Sequence, residues 1–191
     1  SGATGACGWV NYEDYFIRMS ASWKQDYPNI KHYYIHQIWP GACGSRSVEG
    51  DRLREQQRLL PKQFSNMSVL STLGIRPGGG CHFLAEGYAA MARQLVPLVN
   101  QYNYGVEPKT SITPPNIRSV SYVSDRKDEI KLVFDQEVKW DEEIIERFYL
   151  DDDSAELTAV GGSGKLITLK LAGPSAAKSL SYVRGGKWRQ E

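Results

Sequence analysis

One histidine, His82, stands between a run of glycines and a predicted helix, in the segment PGGGCHFLAEGYAAMARQLVPLV at residues 77–99. An imidazole takes up and releases a proton near neutral pH, which suits it to general acid–base catalysis. The glycines ahead of it let the backbone come close to a bound molecule. The alternative is that His82 is an ordinary residue packed at the start of a helix, and the local pattern fits both roles.

The helix that follows His82 must hold it in place. Because apolar residues recur there at three- and four-residue steps, the sequence predicts one buried stripe, made up of Leu84, Tyr88, Met91, Leu95, Leu98 and Tyr102. Such a stripe would anchor the helix on a sheet and keep the preceding loop at the sheet's edge. In open α/β sheets, ligands and catalytic groups gather beyond the C-terminal ends of the strands. This position favours a functional role for His82.

Up to about Gly105 the sequence alternates between helical and strand patterns. A first helix is predicted from one apolar face, formed by Tyr12, Tyr15, Phe16, Met19 and Trp23. It is followed by the apolar run HYYIHQIW at residues 32–39, which suits a strand buried on both sides. A helix is predicted at residues 51–64, where Pro61 introduces a kink, and a second buried strand at residues 67–73. With the helix after His82, this order is typical of a parallel α/β architecture.

After the proline-rich stretch ITPPN the pattern changes to short strands separated by Asp, Gly, Ser and Pro. We predict strands at residues 117–123, 129–134, 148–150, 165–171 and 180–183, with a helical turn near residues 141–146. Several of these strands alternate apolar and polar residues, most clearly KLITLKL at residues 165–171. This pattern is typical of an antiparallel, immunoglobulin-like β-sandwich. We therefore assign residues 1–108 to an α/β domain and residues 109–191 to a β-sandwich domain.

Composition narrows the range of partners. The 191 residues carry a formal net charge of +1 and 24% charged side chains, so we expect neither a nucleic-acid partner nor a membrane partner. The spacings typical of zinc and calcium ligands do not occur, and we expect no metal and no cofactor. A disulfide between Cys43 and Cys81 and free thiols in a reducing compartment both fit the sequence, and Cys7 adds an odd third cysteine.

Two parallel strands that carry three helices would leave a long apolar sheet edge unpaired, and such an edge promotes aggregation. We therefore expect further strands N-terminal to Ser1 to complete the sheet in the intact protein. The last residues, YVRGGKWRQE, indicate a sandwich that ends before its final strand.

Four stretches of the first segment carry a resemblance to a known family: WKQDYPNI, HYYIHQIWPGACG, LREQQ and GGGCHFLAEGYAAMA. As a set they resemble the C-terminal half of a bacterial carbohydrate esterase of the SGNH hydrolase superfamily, in the sialate O-acetylesterase-like group. The resemblance implies a flavodoxin-like three-layer α/β/α fold and the removal of acetyl groups from sugar hydroxyls. It implies an acetylated saccharide and the N-terminal half of the same domain as partners, and it favours a periplasmic or secreted location.

On this resemblance, His82 falls on the family's catalytic histidine, the base that activates a serine. Gln37 matches a glutamine common in the group, which could reach the substrate or be a satisfied core amide. Trp39, in the loop after the first strand, is the best aromatic candidate for a saccharide-stacking surface.

Two departures from the family's pattern bear on activity. The blocks with the serine nucleophile and the oxyanion donors belong upstream of everything present here, and the family's Asp three residues before the histidine is Gly79. A backbone carbonyl could take over the orienting role, or a Ser–His dyad could suffice. We therefore expect a carbohydrate O-acetylesterase fragment that is inactive alone. The alternatives are a non-catalytic glycan- or protein-binding module and a thiol hydrolase using Cys81 or Cys43 with His82.

Overall fold

The computed structural model describes residues 9–41, 46–79, 82–151 and 155–188. The chain divides into two compact units, residues 1–114 together with 185–191, and residues 115–184. Helices and strands both occur, in agreement with the predicted α/β class. All three cysteines, and with them the predicted alternatives for their pairing, lie outside the described residues.

The first unit combines three helices with short strands among its described residues. The helices are α1 (Tyr12–Asp26), α2 (Val48–Leu59) and α3 (Ala85–Tyr104), and short 3-10 turns occupy Trp9–Asn11 and Leu60–Lys62. The strands are β1 (Tyr33–His36), β2 (Met67–Leu70), β3 (Pro77–Gly79) and β4 (His82–Phe83). None of the helices in the described part of the chain is long and apolar enough to cross a membrane.

Strands β1 and β2 pair in parallel, as predicted, with Tyr33 opposite Met67 and His36 opposite Leu70. Both strands are shorter than predicted, because the backbone beyond them finds other partners. The Gln37 N–H still donates to the Leu70 carbonyl at 2.8 Å. The next N–H, that of Ile38, donates instead to a side-chain amide oxygen at 2.9 Å. The strand ladder therefore stops at Ile38, where the side chain of Gln57 in α2 accepts the next hydrogen bond.

An aromatic cluster forms one core of the first unit. Phe16 of α1 lies edge-on to Tyr33 and to Phe64, with ring centroids 5.5 Å and 5.2 Å apart. Leu60 and Met67 complete the buried cluster. Phe16 is the buried residue of α1, and Tyr12 packs partly buried against the same cluster. The other members of the predicted apolar face, Tyr15, Met19 and Trp23, are 60%, 40% and 41% exposed.

Helix α2 begins three residues earlier than predicted because Ser47 caps it. The Ser47 hydroxyl accepts the Gly50 N–H, which satisfies a donor that the helix cannot pair internally. The helix ends at Leu59, and the chain continues as the 3-10 turn Leu60–Lys62. Pro61 lies in this turn, and because it has no N–H it cannot continue the α-helical ladder. The predicted kink is thus a helix end.

The predicted buried stripe of α3 is wrong for part of its length. Leu98 is fully buried, but Leu84, Tyr88 and Tyr102 are 49%, 47% and 39% exposed. A helix of 20 residues is about 30 Å long, whereas strands of four residues span about 13 Å. The sheet formed by the described strands is therefore too small to cover the whole stripe.

The second unit contains two antiparallel sheets among its described residues. One has the strand order β5-β6-β9-β8, formed by Ile117–Tyr122, Glu129–Phe134, Leu166–Leu171 and Leu157–Ser163. The other pairs β7 (Phe148–Leu150) with β10 (Leu180–Tyr182). The predicted helical turn is a 3-10 helix at Glu142–Arg147. Strand β8 was not predicted, because its glycines weaken the strand pattern.

Side chains from both sheets share one core in the second unit. Its buried members are Ile130, Leu132, Phe148, Leu150, Ile167, Leu169 and Leu171. They alternate along β6 and β9 because successive strand residues point to opposite faces. The alternation read from KLITLKL therefore gives the buried face of β9 correctly.

Candidate functional site

His82 lies in a short hairpin immediately before α3, whereas the sequence predicted a glycine-rich loop there. Strands β3 and β4 pair antiparallel, with Gly79 opposite His82. The imidazole is exposed, and α3 begins at Ala85. Small residues make this arrangement possible, because a Cβ at Gly78 would lie 3.0 Å from the Leu84 backbone nitrogen. The glycines thus allow the hairpin to fold back onto the start of the helix.

The imidazole of His82 contacts a tyrosine of the following helix. Nδ1 of His82 lies 3.3 Å from the Tyr88 hydroxyl. The Tyr88 ring also packs edge-on against Phe83, with centroids 6.0 Å apart and an interplanar angle of 81°. The spacing of apolar residues assigned Tyr88 to the buried stripe, so its contact with His82 was not predicted. The site therefore contains a histidine with one ring nitrogen engaged by a phenol.

Trp39 lies close to the same hairpin but is buried. Its ring centroid is 6.4 Å from that of Phe83 and 5.8 Å from that of Trp188, and the residue is 7% exposed. A ring enclosed in this way has little surface to offer a sugar, so stacking on Trp39 would require its neighbours to move. The predicted saccharide contact therefore stays a prediction. No pattern in the sequence indicated that Trp188, which lies far along the chain, would pack against Trp39.

Gln37 joins the end of β1 to α2. Its side-chain Nε2 donates to the backbone carbonyl of Arg54 at 2.8 Å. The backbone carbonyl of Gln37 accepts a hydrogen bond from the Thr72 hydroxyl, also at 2.8 Å. Arg54 in turn pairs with Asp51 at 2.8 Å. These contacts match the core-amide alternative, and substrate binding by Gln37 stays a prediction.

The other two histidines, His36 at the end of β1 and His32 just before the strand, pack against neighbouring residues. His32 is buried, stacks on Tyr102 at a centroid distance of 3.7 Å and lies 2.9 Å from the Ser68 hydroxyl through Nε2. Burial lowers the pKa of His32. Burial also lowers the pKa of His36, against a smaller opposing effect of its hydrogen bond with the Met91 backbone. Desolvation thus favours the neutral form of both imidazoles.

A cavity of about 400 Å³ opens beside the end of β2. It is lined by Leu70 and Ser71, by Gln94 and Pro97 of α3, and by residues 110–114. None of the site residues predicted from the sequence lines it.

A solved structure gives this arrangement a context. The chain is similar in fold to a carbohydrate acetylesterase. That protein, from Xanthomonas citri, superposes with a TM-score of 0.60 and 14% sequence identity over 96% of this chain. The match covers 43% of the esterase, so the chain spans less than half of that protein's length. At this identity the similarity concerns the fold. No family model matches the sequence, and no curated protein matches it.

Proposed function

We propose that this chain is part of a carbohydrate O-acetylesterase of the SGNH type, with His82 as its general base. The observation that carries the proposal is the fold similarity to a carbohydrate acetylesterase over 96% of the chain. The first compact unit would belong to the α/β hydrolase domain and the second to an appended immunoglobulin-like β-sandwich. Residues 109–114 and 185–191, which the sequence pattern assigned to the sandwich, would then belong to the hydrolase domain. The protein would be a bacterial, periplasmic or secreted enzyme.

The chemistry would proceed by acyl transfer. A serine supplied from outside this chain attacks the acetyl carbonyl of the sugar ester, and the imidazole of His82 takes the serine proton. The same imidazole returns that proton to the sugar oxygen as the C–O bond breaks and an acetyl-enzyme forms. His82 then takes a proton from a water that attacks the acetyl-enzyme carbonyl, and it gives that proton to the serine oxygen as the acyl C–O bond breaks and acetate leaves. Exposure of His82 in this chain supports its access to both partners.

The acetylated saccharide would lie at the end of β1, where Gln37 and Trp39 follow the strand. In parallel sheets this is the edge where substrates bind. Trp39 packs against Phe83, which adjoins His82 in β4. This proximity supports a shared site. In that site Trp39 would pack behind the hairpin and support the position of His82.

The test is acetate release from acetylated sugars by the natural protein, compared with His82→Gln. Loss of a general base lowers the rate by about 10²–10⁴-fold. Tyr104→Phe, at the opposite end of α3 and 76% exposed, is the matched control and should keep the wild-type rate. The isolated 191-residue chain should release no acetate. An unchanged rate in His82→Gln would refute the proposal.

A non-catalytic glycan- or protein-binding module is the second candidate. It is favoured by one observation: within the described residues, the hydrogen-bond partner of His82 is a tyrosine and not a serine. This alternative predicts that the natural protein binds acetylated glycans, measured by calorimetry, and that acetate release is undetectable over the same period.

A further inference from the structure

A histidine that acts as a base through Nε2 needs its Nδ1 proton held by an acceptor. The acceptor fixes the tautomer and the ring orientation, so that the Nε2 lone pair faces the nucleophile. A carboxylate usually has this task. Among the ion pairs of the described residues, none includes His82. Gly79, which faces His82 across the hairpin, has no side chain to offer.

The Tyr88 hydroxyl occupies the position that such an acceptor would need. Its oxygen lies 3.3 Å from Nδ1 of His82, at the long end of hydrogen-bond distances. Contacts of this kind are often long in free enzymes and shorten in the substrate complex.

Two further contacts of Tyr88 hold its side chain beside His82. Its backbone N–H donates to the Leu84 carbonyl at 3.1 Å, in the first turn of α3. Its ring packs nearly perpendicular to that of Phe83, with an interplanar angle of 81°. Since Phe83 adjoins His82 in β4, the imidazole and the phenol are held by neighbouring parts of one hairpin-and-helix unit.

We propose that Tyr88 is the positioning residue for His82. The phenolic oxygen accepts the Nδ1 proton of the imidazole and leaves Nε2 free to take a proton from the nucleophile. This inference rests on the proposed function for its catalytic meaning, but the tautomer itself is a property of the chain. A neutral phenol orients the ring without adding the negative charge of a carboxylate. Its loss should therefore lower kcat and leave KM nearly unchanged.

The first experiment measures the His82 tautomer by ¹⁵N NMR of the 191-residue chain, which has three histidines to assign. His82→Gln identifies the resonance. We expect the Nδ1–H form in the wild type and a shift towards the Nε2–H form, which imidazoles favour in water, in Tyr88→Phe. An identical tautomer in both proteins, or Nε2–H in the wild type with Tyr88 as the donor, would overturn the proposal. This readout needs no activity, so its failure is distinct from failure of the esterase assignment.

The second experiment measures kinetics in the natural protein. Tyr88→Phe keeps the ring on Phe83 and removes the hydroxyl, and it should lower kcat roughly tenfold with KM within about twofold. Tyr102→Phe, a tyrosine of the same helix, is the control and should keep the wild-type kcat. Adding Gly79→Asp to Tyr88→Phe supplies a carboxylate opposite His82 and should restore kcat. A rise in KM alone, or no change in kcat, would contradict a positioning role.

Discussion

Gly87 and Phe83 are packed so closely that no side chain fits between them. A Cβ at position 87 would lie 2.8 Å from the Phe83 Cβ, 3.2 Å from the Arg76 carbonyl oxygen and 3.2 Å from a methyl carbon of Ile75. Gly87 is buried in the first turn of α3. The hairpin that carries His82 therefore rests directly on the helix, and glycine at position 87 permits this contact.

Gly87→Ala should force the hairpin away from the helix. We expect overpacking to cost about 1–3 kcal/mol, less the roughly 1 kcal/mol that alanine gains over glycine inside a helix. Urea unfolding of the chain measures the difference. Gly186→Ala is the control, since a Cβ there would meet nothing within 4 Å. Equal stability of the two variants would show that the hairpin yields without cost.

The fold could be predicted where local pattern decides it. The parallel pairing of β1 with β2 follows from two short apolar runs between helices, and the buried face of β9 follows from alternation. The end of α2 was missed because a helical pattern does not show whether Pro61 kinks the helix or ends it. The exposed part of α3 was missed because amphipathic spacing does not reveal how much sheet is available to cover it.

The candidate site could be predicted only in part. The sequence placed His82 next to a helix start, but the contact of its Nδ1 with Tyr88 depends on the antiparallel fold of β3 on β4. Trp188 packs on Trp39 across a very long sequence separation, and no periodicity reports such a contact. The roles of His82, Gln37 and Trp39 in substrate turnover stay predictions.

Two adjacent glutamines of α2 should respond differently to the same substitution. Gln57 is buried, accepts the Ile38 N–H at 2.9 Å and donates to the Tyr12 hydroxyl at 3.2 Å. Gln57→Leu leaves a backbone donor unpaired and should cost about 1–3 kcal/mol. The buried Oε1 of Gln56 has no hydrogen-bond partner among the described residues, so Gln56→Leu should cost far less. Denaturant midpoints compare them, and a larger loss in Gln56→Leu would contradict this account.

Two leucines of β9 offer a matched pair in the second unit. Leu169 is fully buried and Leu166 is 43% exposed on the same strand. Leu169→Ala should cost about 2–5 kcal/mol, whereas Leu166→Ala should change stability by about 0.5 kcal/mol or less. Hydrogen exchange of the β6 and β9 amides reports on this unit specifically. Similar protection in both variants would mean that the core repacks and fills the space left by the Leu169 side chain.

Stability of the first unit should fall in mild acid. Burial lowers the pKa of His32 and His36 in the folded chain, so the unfolded chain binds more protons below its ordinary histidine pKa of about 6.5. The stabilisation is complete above that pH and declines as the pH drops below it. Unfolding midpoints at about pH 7.5 and about pH 5.5 measure the decline.

His32→Phe separates titration from packing at this position. Phenylalanine keeps an aromatic ring on Tyr102 but cannot take up a proton, so the acid-induced loss of stability should become smaller. Tyr104→Phe should keep the wild-type pH dependence. If His32→Phe retained the full loss in acid, burial of this imidazole would not be its cause.

The first unit includes residues 185–191, which follow the second unit in the sequence. The Gly185 N–H donates to the Asp51 carboxylate at 2.8 Å, and Trp188 packs on Trp39. A ribosome releases these residues only after the whole second unit has emerged. The second unit can therefore reach its folded state during synthesis, while Trp39 lacks its packing partner Trp188 until residues 185–188 have also emerged.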